Sequence, residues 1–122
     1  MRFAQDSLAG NIIRAYAAGQ VTVNDESIVT SVIITPDRII RDWLPHSFDE
    51  LEPRHMTRLN ELQPEIIILG TGIRLRFPGA EYTTGLLLQG IGVEIMDTTA
   101  ACRTYNILLS EGRRVVAALL MA

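Results

Sequence analysis

Lysine is absent from this sequence: all eleven of its basic residues are arginines. A phosphate-binding P-loop needs a lysine, and an enzyme that forms a Schiff base needs an amine, so the sequence excludes both classes. The formal net charge is -3 at pH 7, which argues against general nucleic-acid binding because that activity usually requires a basic surplus.

The sequence has one cysteine, Cys102, and two histidines, His46 and His55. One cysteine makes neither an internal disulfide nor a cysteine-rich zinc site. The histidine spacing matches no metal-ligand signature, so we predict no metal and no cofactor. Cys102 falls early in a predicted helix, where a helix dipole can lower a thiol pKa. No histidine is near it in sequence, so a buried apolar role is the preferred interpretation and a redox role a third hypothesis.

Long apolar runs are also missing. The longest, Val115–Met121, is far shorter than the roughly 20 residues that cross a bilayer. Residues Met1–Gly10 show no apolar signal-peptide core and few basic residues. We therefore expect a cytoplasmic protein without a membrane span. With 122 residues, of which 48% are apolar, residues 1–122 are expected to form a single domain.

The first half has the composition of β-strands. Strands are predicted at Asn11–Tyr16 and Gln20–Asn24, joined as a hairpin by a turn ending at Gly19. The β-branched segment Ser27–Thr35 is predicted as one further strand, and Arg38–Trp43 as another.

The second half alternates between helices and strands. A helix is predicted to begin at Pro53, since proline is tolerated at the first helical position. An earlier start at Ser47, with Glu50 completing a capping box, would leave Pro53 inside the helix.

Segment 73–77 alternates in polarity, which predicts a short extended piece with its two arginines facing water. The other predicted elements are strands Ile66–Leu69, Gly92–Asp97 and Val115–Leu120, and helices Gly79–Gln89 and one capped by Thr98 that runs to Ser110. Because strands alternate with helices from Pro53 onward, we predict a largely parallel sheet.

Two loops at strand ends make the candidate site. Ligands of open α/β sheets favour the carboxyl ends of parallel strands, and a helix N-terminus there attracts anions. These loops are therefore candidates for a crevice that binds a partner or a small anionic ligand; the alternative is a structural role, since the glycines suit tight turns and the threonine suits a cap. Arg74 and Arg76 are close to it in sequence. The candidate residues are Gly70, Thr71, Gly72, Asp97, Thr98, Arg103, Tyr105 and Asn106.

Trp43, which precedes Leu44-Pro45-His46, has two interpretations. It is either an anchor for a partner or a lid on the core, and the lid is preferred. Asn106 is expected to fix its helix to neighbouring backbone, whereas the role of Arg103 stays open.

Several strings together resemble a single-domain family. They are Pro64–Gly72, Gly90–Thr98, Thr104-Tyr105-Asn106, Glu111-Gly112-Arg113 and, nearer the N-terminus, Ser31–Pro36 with Trp43. Relatives in that family include assembly factor three of mitochondrial respiratory complex I and the adipogenesis-associated Mth-type domain protein. The resemblance implies a three-layer α/β sandwich, with a central mixed sheet and an N-terminal β-hairpin layer. It implies no established enzyme activity and supplies no catalytic residues.

Two hypotheses follow. The first is a non-catalytic protein-interaction module like an assembly factor, from a compact bacterial member of the family, with a protein partner and the possibility of a homo-oligomer. It predicts an exposed apolar patch. The second is a binder of small anions, or an enzyme, that uses the crevice at Gly70-Thr71-Gly72 and Asp97-Thr98. It predicts a concave pocket with converging arginine and threonine groups.

Overall fold

The computed structural model describes residues 10–122, and Met1–Ala9, where the absence of a signal peptide was predicted, lie outside the described residues. The strands are β1 (Ile13–Ala17), β2 (Gln20–Val23), β3 (Glu26–Ile28), β4 (Val32–Ile34), β5 (Ile39–Ile40), β6 (Ile66–Gly70), β7 (Gly92–Met96) and β8 (Val115–Leu119). The α-helices are α1 (Pro53–Thr57), α2 (Thr84–Leu88) and α3 (Thr98–Ser110), and single 3₁₀ turns span Phe48–Glu50, Arg58–Leu62 and Ala80–Tyr82.

Five strands form the central sheet in the order β5-β4-β8-β6-β7. Strand β6 runs parallel to both β7 and β8, while β4 runs antiparallel to β8 and β5. Helices α2 and α3 connect the parallel strands, as a parallel connection requires. Strands β1 to β3 form a separate antiparallel sheet. The predicted three-layer α/β class with a mixed sheet and a hairpin layer is thus confirmed.

Alternation along the central strands sends side chains to two cores. On one face, Ile68 and Ala117 pack with Tyr105 of α3 and with the small sheet. On the other face, Ile67 and Val116 pack against α1 and α2. Continuous apolar strands such as β6 and β8 suit a sheet that is covered on both sides.

The β-branched segment Ser27–Thr35 is two strands rather than one, so that prediction was wrong. Strand β3 ends at Ile28 in the small sheet, and β4 begins at Val32 in the central sheet. The chain crosses between layers here, and Val29 is 64% exposed. Propensity gives no sign of this crossing because β-branched residues continue through it.

The predicted strand Arg38–Trp43 shortens to Ile39–Ile40. Asp42 has a left-handed backbone conformation, with φ of 57°, which ends the extended ladder. Trp43 then donates its backbone N–H to the carbonyl of Ser31.

The helix predicted at Pro53 does begin there, and the earlier start is wrong because Phe48–Glu50 forms a separate 3₁₀ turn. After Thr57 the chain tightens into a second 3₁₀ turn. The predicted helix Gly79–Gln89 likewise divides into a 3₁₀ turn followed by the short α2.

Candidate functional site

The two loops predicted to form the site do meet. Gly70 at the end of β6 is paired with Met96 of β7 on one side and with Leu119 of β8 on the other. Beyond it, Thr71 donates its N–H to the carbonyl of Met96 at 2.9 Å, and Thr98 donates its N–H to the carbonyl of Gly72 at 2.9 Å. The carboxyl ends of the three parallel strands are therefore joined by hydrogen bonds.

Thr98 occupies the space between these ends. Its side chain is fully buried. Its hydroxyl donates to the carbonyl of Leu120 at 2.7 Å and accepts the N–H of Gly72 at 2.8 Å. A Cβ atom added at Gly70 would lie 2.9 Å from the Thr98 Oγ1. Any residue other than glycine would therefore force Thr98 or the strand to move. The space directly between β6 and the start of α3 is packed.

The prediction that Thr98 caps α3 was wrong. The capping residue is Asp97, whose carboxylate accepts the backbone N–H of Ala100 at 2.9 Å. Thr98 is the first residue inside the helix, and its hydroxyl is already used by the strand ends.

Tyr105 and Asn106 were predicted with the crevice, but the structure places them against β1 and the segment that precedes it. The Tyr105 hydroxyl donates to the carbonyl of Asn11 at 2.7 Å, and burial raises the Tyr105 pKa. The Asn106 amide accepts the N–H of Ile13 at 3.0 Å and donates to its carbonyl at 2.6 Å. These contacts fix α3 to β1, as expected for Asn106. Arg103 is exposed beside Arg14 on this same side.

A cavity of about 360 Å³ lies next to the predicted crevice, on the outer side of the loop after β6. Its lining includes Thr71, Arg74 and Arg76. Arg76 stacks on the Phe48 ring, 4.4 Å from its centre, and pairs with Asp49 at 3.0 Å. The Thr71 hydroxyl donates to the carbonyl of Arg74 at 2.7 Å. Arginine and threonine groups converge here, although outside the packed space at Thr98.

Cys102 is 5% exposed, and burial raises its pKa to about 12. The thiol is therefore protonated near neutral pH, so burial outweighs any effect of the helix dipole. The structure favours an apolar packing role over redox chemistry for this residue.

His55 is buried next to Trp43, with the two rings 6.3 Å apart at 76°. Its Nδ1 accepts the backbone N–H of Glu52 at 2.9 Å, which closes the start of α1. Burial lowers the His55 pKa, as do the charges of Arg54 and Arg58. Within residues 10–122, no three His, Cys, Asp or Glu side chains are grouped to hold a metal.

A groove that the sequence did not predict lies beside Trp43, with a volume of about 450 Å³. Trp43 is itself 8% exposed and packs on the core, which favours the lid interpretation. We call this the Trp43 groove; it is lined by Ile33, Arg38, Ile40, Asp42, Trp43, Leu44, His55, Arg58, Leu59, Glu61 and Leu62. These residues come from three separated segments, so no local pattern marks them.

Large apolar side chains are exposed in the segment that was predicted to be extended. Ile73 is 63% exposed, Leu75 49% and Phe77 71%. Arg74 and Arg76 are exposed, as expected, but the segment forms no strand and its apolar residues are exposed as well, so it has no covered side. We call Ile73–Phe77 the apolar loop. None of the helices in the described part of the chain has the length and hydropathy of a membrane span.

The chain has a three-layer α/β fold in which polar groups join the strand ends of a mixed central sheet and an apolar loop is exposed. Residues 13–120 match the family described as a protein of unknown function (DUF498/DUF598). The chain belongs to this family.

Similar proteins are found in animals and bacteria. A Danio rerio protein named NADH dehydrogenase [ubiquinone] 1 alpha subcomplex assembly factor 3 is 34% identical over 95% of this chain and 67% of its own length. Its Xenopus tropicalis and Bos taurus counterparts are covered over 66% and 59% of their lengths, so the chain spans two thirds or less of these two.

Solved structures confirm the fold. A Bordetella parapertussis protein superposes with a TM-score of 0.86 and 38% identity, over 93% of this chain and 97% of that one. A Bordetella pertussis protein described as a Mth938-like domain gives a TM-score of 0.80 at 32% identity, over 91% of this chain and 85% of that one.

Proposed function

We propose that this chain is a protein-binding module that acts as an assembly factor, without catalysis of its own. Its relatives named as assembly factors for NADH dehydrogenase support this function, since the match covers nearly the whole chain. The observation that carries the proposal is the exposure of Ile73, Leu75 and Phe77 in the apolar loop.

Exposed apolar side chains of this size carry a free-energy cost that burial against a partner would remove. Burying a Leu, Ile or Phe side chain is worth about 1.5–3 kcal/mol. Clustered exposed apolar residues typically mark interaction sites, whereas single ones need no explanation. Three of them at alternate positions within five residues make such a cluster.

The arginines of the apolar loop indicate the charge of the partner surface. Arg74 and Arg76 alternate with the apolar residues, and Arg76 is held in place by Phe48 and Asp49. Arginine is enriched at protein interfaces, and an ordered side chain loses little entropy on binding. We therefore propose a partner surface that is apolar with acidic groups around it.

The named relatives suggest the identity of this partner. We propose a subunit or subcomplex of an NADH dehydrogenase, in a bacterial cell and on the cytoplasmic side. A homo-oligomer remains a separate proposal, which size-exclusion chromatography with light scattering tests directly.

The test uses the tagged chain expressed in a host from which the native gene has been deleted. We expect NADH dehydrogenase subunits to co-purify with the wild-type chain and the deletion to lower NADH dehydrogenase activity in membranes. Phe77→Ser should weaken capture by about tenfold or more, as expected for a buried aromatic anchor. Leu88→Ser, at a residue that is 83% exposed on α2, is the matched control.

Two outcomes would contradict the proposal. One is normal NADH dehydrogenase assembly in the deletion strain. The other is capture of the same subunits by the wild type and by Phe77→Ser in equal amounts.

The cavity beside Thr71 favours a second candidate function, which is binding of a small anion. Arg74 lines this cavity and forms no ion pair among residues 10–122, whereas the Asp49 carboxylate in the same lining is paired with Arg76. Thermal shift with inorganic phosphate or sulfate should stabilise the wild type and not Arg74→Gln. Equal shifts for both proteins would remove this candidate.

A further inference from the structure

The Trp43 groove has the size and lining of a ligand pocket. Its volume of about 450 Å³ falls within the range of known small-molecule sites. Its apolar surface comes from Ile40 of the edge strand, from Trp43, and from Leu59 and Leu62 of the turn after α1. This surface lies on the opposite side of the sheet from α3, and no residue of the apolar loop lines it.

His55 supplies a fixed hydrogen-bond donor to the groove. The side chain is 9% exposed and lines the groove. Since Nδ1 accepts the N–H of Glu52, the neutral ring carries its proton on Nε2. Among residues 10–122, Nδ1 has that partner and Nε2 has none, so the Nε2–H group is left for a ligand.

Two arginines and two acidic residues line the groove, and Arg58 is near enough to His55 for its charge to lower the His55 pKa. Arg38 and Arg58 line it, and in the described chain neither has a carboxylate within ion-pair distance. Of the two acidic residues, Asp42 accepts the Thr30 hydroxyl at 3.2 Å and its charge acts on Arg41. Glu61 is exposed, so it can turn to water.

We propose that the Trp43 groove binds a carboxylate carried on an apolar body, either a free branched or aromatic acid or the C-terminal residue of a protein. The carboxylate accepts the Nε2–H of His55 and pairs with Arg58. The apolar body packs against Trp43 and Leu59. This binding is independent of the assembly-factor function and goes beyond it.

The single tryptophan of the sequence makes the test specific, because all tryptophan emission comes from this groove. We expect 3-phenylpropionate to change the emission of Trp43 with a saturable curve. The neutral amide of the same acid should bind about tenfold or more weakly, since it loses a charge-assisted hydrogen bond.

Two variants and one control locate the carboxylate. His55→Asn keeps an acceptor near the Glu52 N–H but removes the Nε2–H donor, and Arg58→Gln removes the cation. Each should weaken binding by about tenfold. Arg14→Gln, on the far side of the molecule, should leave binding unchanged. Circular dichroism establishes whether each variant is folded. If His55→Asn does not fold, the binding affinity of the surface variant Arg58→Gln tests the proposal alone.

A peptide arm distinguishes the two sources of carboxylate. A short peptide ending in Leu-Phe is compared with its C-terminally amidated form. Tighter binding of the free-acid peptide than of 3-phenylpropionate assigns a protein C-terminus, and the reverse order assigns a free acid; both support the proposal. The proposal is overturned if neither ligand gives a saturable change, or if acids and amides bind alike. Phe77→Ser should leave carboxylate binding in the Trp43 groove intact. A loss of carboxylate binding can therefore be distinguished from a loss of partner capture by the apolar loop.

Discussion

The two faces of the central sheet are covered in different ways. One is covered by the 13-residue helix α3 and the three-stranded sheet, and the other by the two five-residue helices α1 and α2 with irregular segments between them. On the α3 face, hydrogen bonds join residues more than 90 positions apart, as between Asn106 and Ile13. The Trp43 groove and the apolar loop both belong to the other side.

We infer that the α3 side mainly provides stability and that the opposite surface mainly provides recognition. A long helix fixed to backbone by side-chain amides and hydroxyls holds its layer at many points. Short helices and 3₁₀ turns bury less backbone and leave grooves between them, which suits binding surfaces. The comparison predicts that substitutions at the α3 side act on folding and those on the opposite surface act on binding.

Thr98→Val is expected to have the largest effect. The substitution keeps the shape of the side chain but leaves the Gly72 N–H and the Leu120 carbonyl without a partner in a fully buried site. Two unsatisfied buried groups predict a loss of about 2–5 kcal/mol in the free energy of unfolding, measured by urea denaturation. Thr98→Ser, which keeps the hydroxyl, should lose about 1 kcal/mol. Similar losses in both variants would show that the hydroxyl does not join the strand ends.

Asn106→Ala is expected to be next. It removes both hydrogen bonds to Ile13 and with them a link between α3 and β1. We expect a loss of about 1–3 kcal/mol in the free energy of unfolding. Ile107→Ala changes the neighbouring residue, which is 57% exposed, and should lose less than about 0.5 kcal/mol. A larger loss of unfolding free energy in Ile107→Ala than in Asn106→Ala would contradict the stabilising role of the Asn106 hydrogen bonds.

The pH dependence of stability should come in part from His55 of α1. Burial, with the charges of Arg54 and Arg58, lowers the His55 pKa in the folded chain, so the unfolded chain binds a proton more readily. The contribution of neutral His55 to stability is therefore complete above the unfolded pKa of about 6.5 and is lost as pH falls through the folded value. The slope from this one group is at most about 1.4 kcal/mol per pH unit.

The measurement compares urea denaturation of the wild type and His55→Asn across this pH range. Only the wild type should lose this contribution below pH 6.5, because asparagine does not titrate. The lowered pKa values of Glu26, Glu52 and Glu65 act at more acidic pH and are present in both proteins. Parallel pH curves for the two proteins would contradict the prediction.

The sequence predicted an element best where the pattern of its own residues determines its type. Strand β6 is a continuous apolar run, and α3 has apolar residues at helical spacing with Gly112 shortly after its end. Both lie where the sequence placed them. The segment Ser27–Thr35 was misread because a change of sheet occurs inside a uniform β-branched run. The apolar loop was misread because its alternation resembles a strand, whereas no neighbouring strand pairs with it among the residues described.

The candidate site was predictable only in part. The meeting of Gly70-Thr71-Gly72 with Asp97-Thr98 follows from the parallel order of β6 and β7. The hydroxyl of Thr98 closes that space through a hydrogen bond to Leu120, a residue that directly follows β8 and is 22 positions away in the chain. Tyr105 and Asn106 lie two turns along α3 from Thr98, about 10 Å farther from the loops at 1.5 Å per residue. Only the packing of α3 shows that they meet β1 and the segment before it.

Phe77→Ser is expected to have the smallest effect on folding and the largest on recognition. The Phe77 side chain is 71% exposed, so its replacement removes little buried area, and the free energy of unfolding should change by less than about 0.5 kcal/mol. If the apolar loop is instead part of the folded core in solution, Phe77→Ser would destabilise the chain as much as Asn106→Ala does. A stable Phe77→Ser protein that no longer captures its partner would separate recognition from folding on the α1–α2 side. A stable variant that still captures its partner would place the contact elsewhere, so unfolding and capture measured on the same preparation decide between the two.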